Sequence, residues 1–308
     1  MADSAYITQY RQVQPHTTRH YARHAYLSVA DAWQRLSGKQ SRLLARPRVQ
    51  LLCLHHVFAD EEQSFRALLT NLARDHSFIG YSEAVDRILG DKVDKPYMAV
   101  SFDDGLASCV KAADIMYDLG IVGCFFVCGA MVGQEDRSRT DLFSRQRLGM
   151  PPMQFMNWDD LEKLRTGGHE IGSHTINHPN MAQIPAQQIT DELGESFDLL
   201  QKRLGRAEHF AWPYGRFRQF SRQAAHAVFD SGYRSCASAE RGCHGPLPVD
   251  HRFLCLRRDH LLANWPIGHC RYFLARSARA RLTGGSLWPT GWIETIRFGH
   301  EDAAPGPR

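Results

Sequence analysis

Two short segments of this 308-residue chain carry side chains able to do chemistry together. Ser101-Phe102-Asp103-Asp104-Gly105 closes the apolar run Tyr97-Met98-Ala99-Val100 with a pair of adjacent acids. Further along, Ser173-His174-Thr175-Ile176-Asn177-His178-Pro179 sets two histidines at i and i+4 just after Glu170-Ile171-Gly172. Two imidazoles and one carboxylate make a facial donor set for a catalytic divalent cation, with positions left open for water and substrate. The second carboxylate is then spare and can take a proton from an attacking water. The pattern reads as metal-assisted hydrolysis. An acid pair alone would fit a helix cap or a surface turn equally well; the two histidines tip the balance.

Histidines at this spacing also occur on the helices of zinc proteases. Here Gly172 precedes them, Pro179 follows them, and residue 175 is Thr where such a helix carries Glu. A strand-to-loop turn is therefore expected, with Ser173 and Asn177 orienting the imidazoles.

The elements that must position these groups alternate from residue 49 onward. Candidate strands cover 49–54, 97–102, 123–128, 169–172, 209–212, 233–237 and 253–256. Candidate helices cover 83–89 with Ser82 as cap, 110–119 stopped by Gly120, 158–165, and 190–204 stopped by Gly205. The last has Leu193, Phe197, Leu200 and Leu204 on one face. Seven strands separated by helices predict a parallel closed or nearly closed α/β sheet. Such barrels present catalytic groups at the C-terminal ends of their strands, where both motifs fall. Residues 130–157 form a long excursion rich in Arg, Gln, Met and Pro, suited to shaping a groove. Three regions are expected: an N-terminal basic arm or helix (1–47), a barrel (48–277) and a peripheral tail (278–308). In the arm, residues 25–36 form a short amphipathic helix with Tyr26, Val29, Ala30 and Trp33 on one face. It reads first as an arm packed on the barrel, with a surface-binding helix as the alternative.

An apolar fraction of 43% with a mean hydropathy of −0.40 fits a soluble globular protein. The net charge of +4 is mild, and no nucleic-acid-binding motif is present, so nucleic acid is not an expected partner. No apolar run is long enough for a transmembrane helix. The start, Met1-Ala2-Asp3-Ser4-Ala5-Tyr6, has no basic and apolar leader. The eight cysteines, Cys53, Cys124, Cys128, Cys236 and Cys255 among them, sit mostly in apolar segments without Cys-x-x-Cys pairing. Buried free thiols in a reducing cytoplasm are expected.

Ser101-Phe102-Asp103-Asp104-Gly105 resembles the first motif of the polysaccharide deacetylase family (NodB homology, carbohydrate esterase 4). Residues 168–179 resemble its second motif almost letter for letter, and Ala211-Trp212-Pro213-Tyr214-Gly215 is similar to its third. The resemblance spans roughly residues 49–260 and implies a distorted (β/α)7 barrel. It implies Asp104, His174 and His178 as metal ligands and Asp103 as general base. Pro213, Tyr214 and Gly215 would form a groove wall, with the Tyr214 N–H on the oxyanion. The family's usual general-acid histidine motif after the last strand is missing. Instead Leu52-Cys53-Leu54-His55-His56-Val57 resembles a segment of the poly-N-acetylglucosamine deacetylases, permuted members whose acid precedes the acid pair. His55 is therefore the expected general acid, with His260 as alternative. The family's arginine two residues before the proline is Ala211 here. Arg257 and Arg258 stand open as substitutes beside Asp103, and Arg258 is also counted with the substrate-binding residues. Trp158 and Trp212 read as core aromatics or as sugar-stacking platforms.

The resemblance implies a hydrolase of carbon–nitrogen bonds other than peptide bonds. It would remove an N-acyl group, N-acetyl first, from an amino sugar in a surface-glycan or lipopolysaccharide precursor. Its cofactor is a divalent metal, zinc first, with nickel, cobalt or iron as alternatives. The partner is an amino-sugar glycan or a nucleotide- or lipid-linked sugar, with peripheral membrane association left open. A formamide or cyclic imide hydrolase, and a non-catalytic glycan-binding barrel, are the competing readings.

Overall fold

The computed structural model describes residues 6–13, 18–90, 92–247, 253–279, 281–282 and 287–292. In chain order, α1 (Thr18–Leu36) and α2 (Lys39–Leu44) precede β1 (Arg48–Leu54). Then follow α3 (Glu62–Leu72), β2 (Ser77–Phe78), α4 (Tyr81–Leu89), β3 (Pro96–Phe102), α5 (Ser108–Asp118) and β4 (Gly123–Val127). The long excursion holds α6 (Arg137–Phe143) and a π turn (Ser144–Leu148). After it come α7 (Trp158–Thr166), β5 (Glu170–Ser173), α8 (Ala186–Leu204), β6 (His209–Ala211), α9 (Arg222–Asp230), β7 (Ser235–Ala237), β8 (Cys243–His244), β9 (Cys255–Leu256), β10 (Arg258–His260), α10 (Ile267–Ser277) and β11 (Arg281–Leu282).

The strands β1, β3, β4, β5, β6 and β7 pair in that order, all parallel. β9 pairs with β7, and β10, one residue further on, pairs with β1. A single strand broken at Arg257 thus bridges β7 and β1, and seven strand positions make a nearly closed barrel. This is the α/β barrel class expected from the strand count. The strands β2, β8, β10 and β11 were not expected; each is two or three residues long, too short to show a period of two. β8 alone runs antiparallel to its barrel neighbour β1.

Alternation decides what faces where. On β1 and β3, Leu52, Leu54, Met98, Val100 and Phe102 pack outward among the helices. Ser101, Cys53 and Asp103 point inward, where the fully buried Arg258 meets them. All eight cysteines are free and buried, as expected. Trp212 is fully buried and stacked on Phe220, so it is a core aromatic and not a sugar platform. The cap of α4 differs from expectation. Gly80 occupies the cap position, and the Ser82 N–H donates instead to the Glu170 carboxylate at 3.0 Å. An acid borrowed from β5 thus takes the place of a local cap. The tail is less peripheral than expected: β11 adds to β8, and Leu287 and Trp288 are buried, with Trp288 stacked near Trp212. The remainder of 278–308 lies outside the described residues. Among the described residues no helix is long and apolar enough to cross a membrane.

Three histidines are built into the core as neutral groups. Burial depresses His76, His209 and His244 to about 4 each, with Arg48 adding to the effect at His76. The unfolded chain protonates such groups near pH 6.5, whereas the folded chain resists until about 4. Stability should therefore be complete above pH 6.5 and fall between 6.5 and 4, at up to about 1.4 kcal/mol per pH unit for each histidine. Urea midpoints measured across that window should decline steadily; a flat profile would contradict this account.

Candidate active site

The first acid motif is positioned by backbone bonding at the end of β3. The Asp103 N–H donates to the Leu54 carbonyl at 3.0 Å. The chain then turns through Asp104 and Gly105, both at a φ of 74°. A Cβ on Gly105 would meet Val127 at 3.2 Å, so the tight turn that aims Asp104 inward needs glycine next to it. The histidines leave β5 in an irregular turn, not a helix, as the flanking Gly172 and Pro179 predict. Glu192, buried on α8, accepts the N–H groups of Ile176 and Asn177 at 2.9 Å and the Asn177 side chain at 2.8 Å. That acid clamps the turn between the two imidazoles.

Four non-glycine residues among those described have positive φ: Asp104 (74°), Thr175 (69°), His178 (52°) and Tyr214 (64°). All four belong to this one site. Such conformations cost of order 1–3 kcal/mol each and persist where the surroundings impose them. At Tyr214 the cause is a turn: the Gly215 N–H donates to the Trp212 carbonyl at 3.2 Å, with Pro213 second and Tyr214 third. That third position asks for positive φ and normally for glycine.

Asp104, His174 and His178 converge. Asp104 Oδ1 lies 3.4 Å from Nε2 of each histidine, and the three ligand atoms fall within 4.8 Å of one another. His174 Nδ1 is held by the Ala211 carbonyl at 2.7 Å, which fixes the tautomer that leaves Nε2 free as a donor. Burial opposes charge on Asp104, but the contacts with His174 and His178 outweigh it and hold the carboxyl well below its usual range. Two imidazole nitrogens and a carboxylate oxygen thus face one point, a donor set that fits zinc, nickel, cobalt or iron. Ser173 and Asn177, expected to orient the histidines, bond neither imidazole directly: Ser173 bonds Ser196 and accepts the Thr175 N–H, and Asn177 bonds Glu192. A backbone carbonyl takes that part at His174.

Asp103 stands beside this set, held from the barrel interior. Arg258 donates through Nη1 to Oδ1 at 2.7 Å and through Nη2 to Oδ2 at 2.8 Å. The Cys53 thiol adds a bond to Oδ2 at 3.3 Å. Burial would raise the Asp103 carboxyl, but Arg258 outweighs it and keeps it at about 2. Arg258 is fully buried and both terminal nitrogens are committed, so it presents nothing to a ligand. Its expected place among the substrate-binding residues is corrected on that ground. Arg257 instead lies over the Phe217 ring. Cys53, His55 and Asp103 also cluster closely. That cluster suits a metal poorly, because burial pushes the Cys53 thiol well above its usual range and Arg258 already claims Asp103.

A cavity of about 210 Å³ joins these groups to the outside, lined by His55, Asp103, Asp104, His174, His178, Tyr214, Gly215 and His260. Pro213 is not on its wall; it is buried beneath the turn that presents Tyr214. His55 and His260 come from the ends of the adjacent strands β1 and β10 and meet edge to face, with ring centroids 4.9 Å apart. His56 points elsewhere, bonded to the buried Glu61 at 2.9 Å. Burial, then the neighbouring His55, depresses His260 to about 3. Sequence reasoning missed Arg147, Leu148, Arg216 and Ala239 on the cavity wall. The long excursion was expected to shape the groove, but nothing in its composition singled out Arg147.

Residues 90–234 match the model of the polysaccharide deacetylase family. The fold is shared with IcaB from Ammonifex degensii, at a TM-score of 0.61 and 19% identity over 76% of this chain and 98% of that one. It is shared also with the Streptococcus pyogenes deacetylase PplD solved with acetate, at a TM-score of 0.60 and 16% identity over 76% of this chain and 99% of that one. A curated relative, the uncharacterized protein YlxY of Bacillus subtilis, is 34% identical over 59 residues, a match spanning 19% of this chain and 18% of YlxY.

If the three-donor set holds a divalent ion, Asp104→Ala or His174→Ala should weaken zinc, nickel or cobalt binding at least about a hundredfold, since loss even of an outer partner costs 10–100-fold. His55→Ala should leave it within about threefold. Calorimetric titration of the metal-free protein reads both; unchanged affinity in the Asp104 and His174 variants would remove the assignment.

Proposed function

We propose that this chain is a metal-dependent de-N-acylase of amino sugars, N-acetyl first, acting on a surface-glycan precursor. The observation that carries the reading is the pairing of two acids across one cavity: Asp104 with His174 and His178, and Asp103 fixed by Arg258. The deacetylase name of the fold neighbour PplD supports it. A divalent metal held by Asp104, His174 and His178 would supply a Lewis acid that lowers the pKa of water and polarises the acyl oxygen.

The chain's own groups account for the remaining events. Asp103 takes the proton of the attacking water; Arg258 and Cys53 leave it one orientation and keep it ionised. The new bond joins that water oxygen to the acyl carbon. The Tyr214 N–H, presented by the strained turn, faces the oxyanion, a kind of contact worth about 2.7–4 kcal/mol in the transition state. As the carbon–nitrogen bond breaks, His55 gives a proton to the departing nitrogen, and a carboxylate and an amine remain. His260 stays neutral over the working range, so it serves as a packing neighbour of His55 and not as the acid.

Two arginines, Arg147 and Arg216, line the same cavity. Arg216 pairs with Glu240 at 3.2 Å, while Arg147 is exposed beside the Tyr214 hydroxyl. A cation at the rim favours an amino sugar that carries a phosphate, as nucleotide- and lipid-linked precursors do.

Release of acetate from N-acetylglucosamine compounds by the metal-loaded protein tests the main reading. Asp103→Asn should lower kcat at least about a hundredfold, in line with the 10²–10⁴-fold usual for general-base catalysis, while keeping metal affinity. Arg258→Met should move the acidic limb of kcat/KM to higher pH, because the depressed Asp103 loses the charge that lowers it. Wild-type turnover indistinguishable from Asp103→Asn on every amino sugar would refute the proposal. For the rim, Arg147→Gln should raise KM for N-acetylglucosamine 1-phosphate several-fold and leave that for neutral chitooligosaccharides unchanged; equal effects on both would dismiss its part in selectivity.

A further inference from the structure

The N-terminal helix α1 presents a stripe of large apolar side chains to solvent. Tyr26, Val29, Trp33 and Leu36 are 66%, 71%, 74% and 87% exposed. Their spacing of i, i+3, i+7 and i+10 puts them on one helical face. The opposite face is the one packed on the protein. Leu27, Asp31 and Gln34 are buried there, Ser28 Oγ meets His269 Nε2 of α10 at 3.0 Å, and Asp31 accepts from Gln40 of α2 at 2.8 Å. The amphipathic face expected from the sequence is therefore real, but its aromatic side looks away from the barrel.

Charge around the stripe is net positive. Residues 18–47 contain Arg19, Arg23, Arg35, Lys39, Arg42 and Arg46 against one acid, Asp31, which is buried and pairs with Arg35 at 3.4 Å. Arg35, Lys39, Arg42 and Arg46 are all exposed. Aromatic and aliphatic side chains on one face, with arginine and lysine beside them, are the composition of a helix that lies in a bilayer interface.

We propose that α1, with the cationic start of α2, docks this protein on an anionic lipid surface. Tyr26, Val29, Trp33 and Leu36 would enter the headgroup boundary and the exposed cations would meet lipid phosphates. A second copy of this chain fits the face poorly. Two such faces would bring like charges together, and a stripe about 15 Å long and about 10 Å wide offers roughly 150 Å², far short of the roughly 800 Å² per partner that stable association needs. Arg23 lies over Trp265, five residues beyond the cavity residue His260, so docking would hold the barrel near material carried on the membrane. The proposal is independent of the catalytic reading, and either can fail without the other.

Flotation of the full metal-loaded chain with vesicles tests it. Binding to phosphatidylcholine vesicles containing phosphatidylglycerol, weakened by added salt, is expected, with little binding to phosphatidylcholine alone. The double variant Trp33→Ser, Leu36→Ser should lower binding at least about tenfold while keeping metal affinity and the urea midpoint. Arg35→Glu with Arg42→Glu should lower it too. Absence of vesicle binding, equal binding to both vesicle types, or binding untouched by the variants would overturn the proposal. So would a dimer, seen by ultracentrifugation without lipid, that the Trp33→Ser, Leu36→Ser variant abolishes.

Discussion

A guanidinium–carboxylate pair buried inside the barrel is the interaction on which the site depends. Arg258 on β10 donates two hydrogen bonds to Asp103 at the end of β3. Arg258 is also tied to the Ser238 carbonyl and to Ser101, and its guanidinium lies over the Phe126 ring. Breaking a buried pair of this kind leaves a bare charge and costs about 3–5 kcal/mol. It therefore constrains both partners. The carboxylate cannot rotate, and the strand broken at Arg257 cannot drift from β1. The same charge that fixes Asp103 also lowers its basicity.

Around that pair the backbone is bent where chemistry needs it. The positive φ angles at Asp104, Thr175, His178 and Tyr214 sit at the ends of β3, β5 and β6, where regular pairing stops. Two of these turns are backed from another element, the histidine turn by Glu192 of α8 and the Asp104-Gly105 turn by the close approach of Val127, whereas Tyr214 is held by its own turn. The strain is thus shared between the loops' own turns and the packing of α8 and β4 behind them.

Much of this was legible in the chain. Long apolar runs at 49–54, 97–102 and 123–128 gave strands nearly to the residue, and glycines 120 and 205 ended their helices as expected. Short elements escaped because two or three residues carry no periodicity. Ser82 was misread as a cap because the acid that competes for its position, Glu170, is distant in sequence. Ser173 and Asn177 were misread for a similar reason: their preferred partners, Ser196 and Glu192, lie on α8.

By itself the sequence determined the kinds of groups available: two adjacent acids, two histidines at strand ends, and a barrel's worth of strands to carry them. These are local facts, set by residue type and spacing. Which groups meet was decided only by closure of the barrel. Arg258 reaches Asp103 because β10 pairs with β1, beside β3. His55 and His260 share a wall because their strands are neighbours in register. The stripe on α1 faces outward because Asp31 and Ser28 claim the inner face. Side-chain partners distant in the chain are chosen by strand order and packing, and no local pattern encodes that choice.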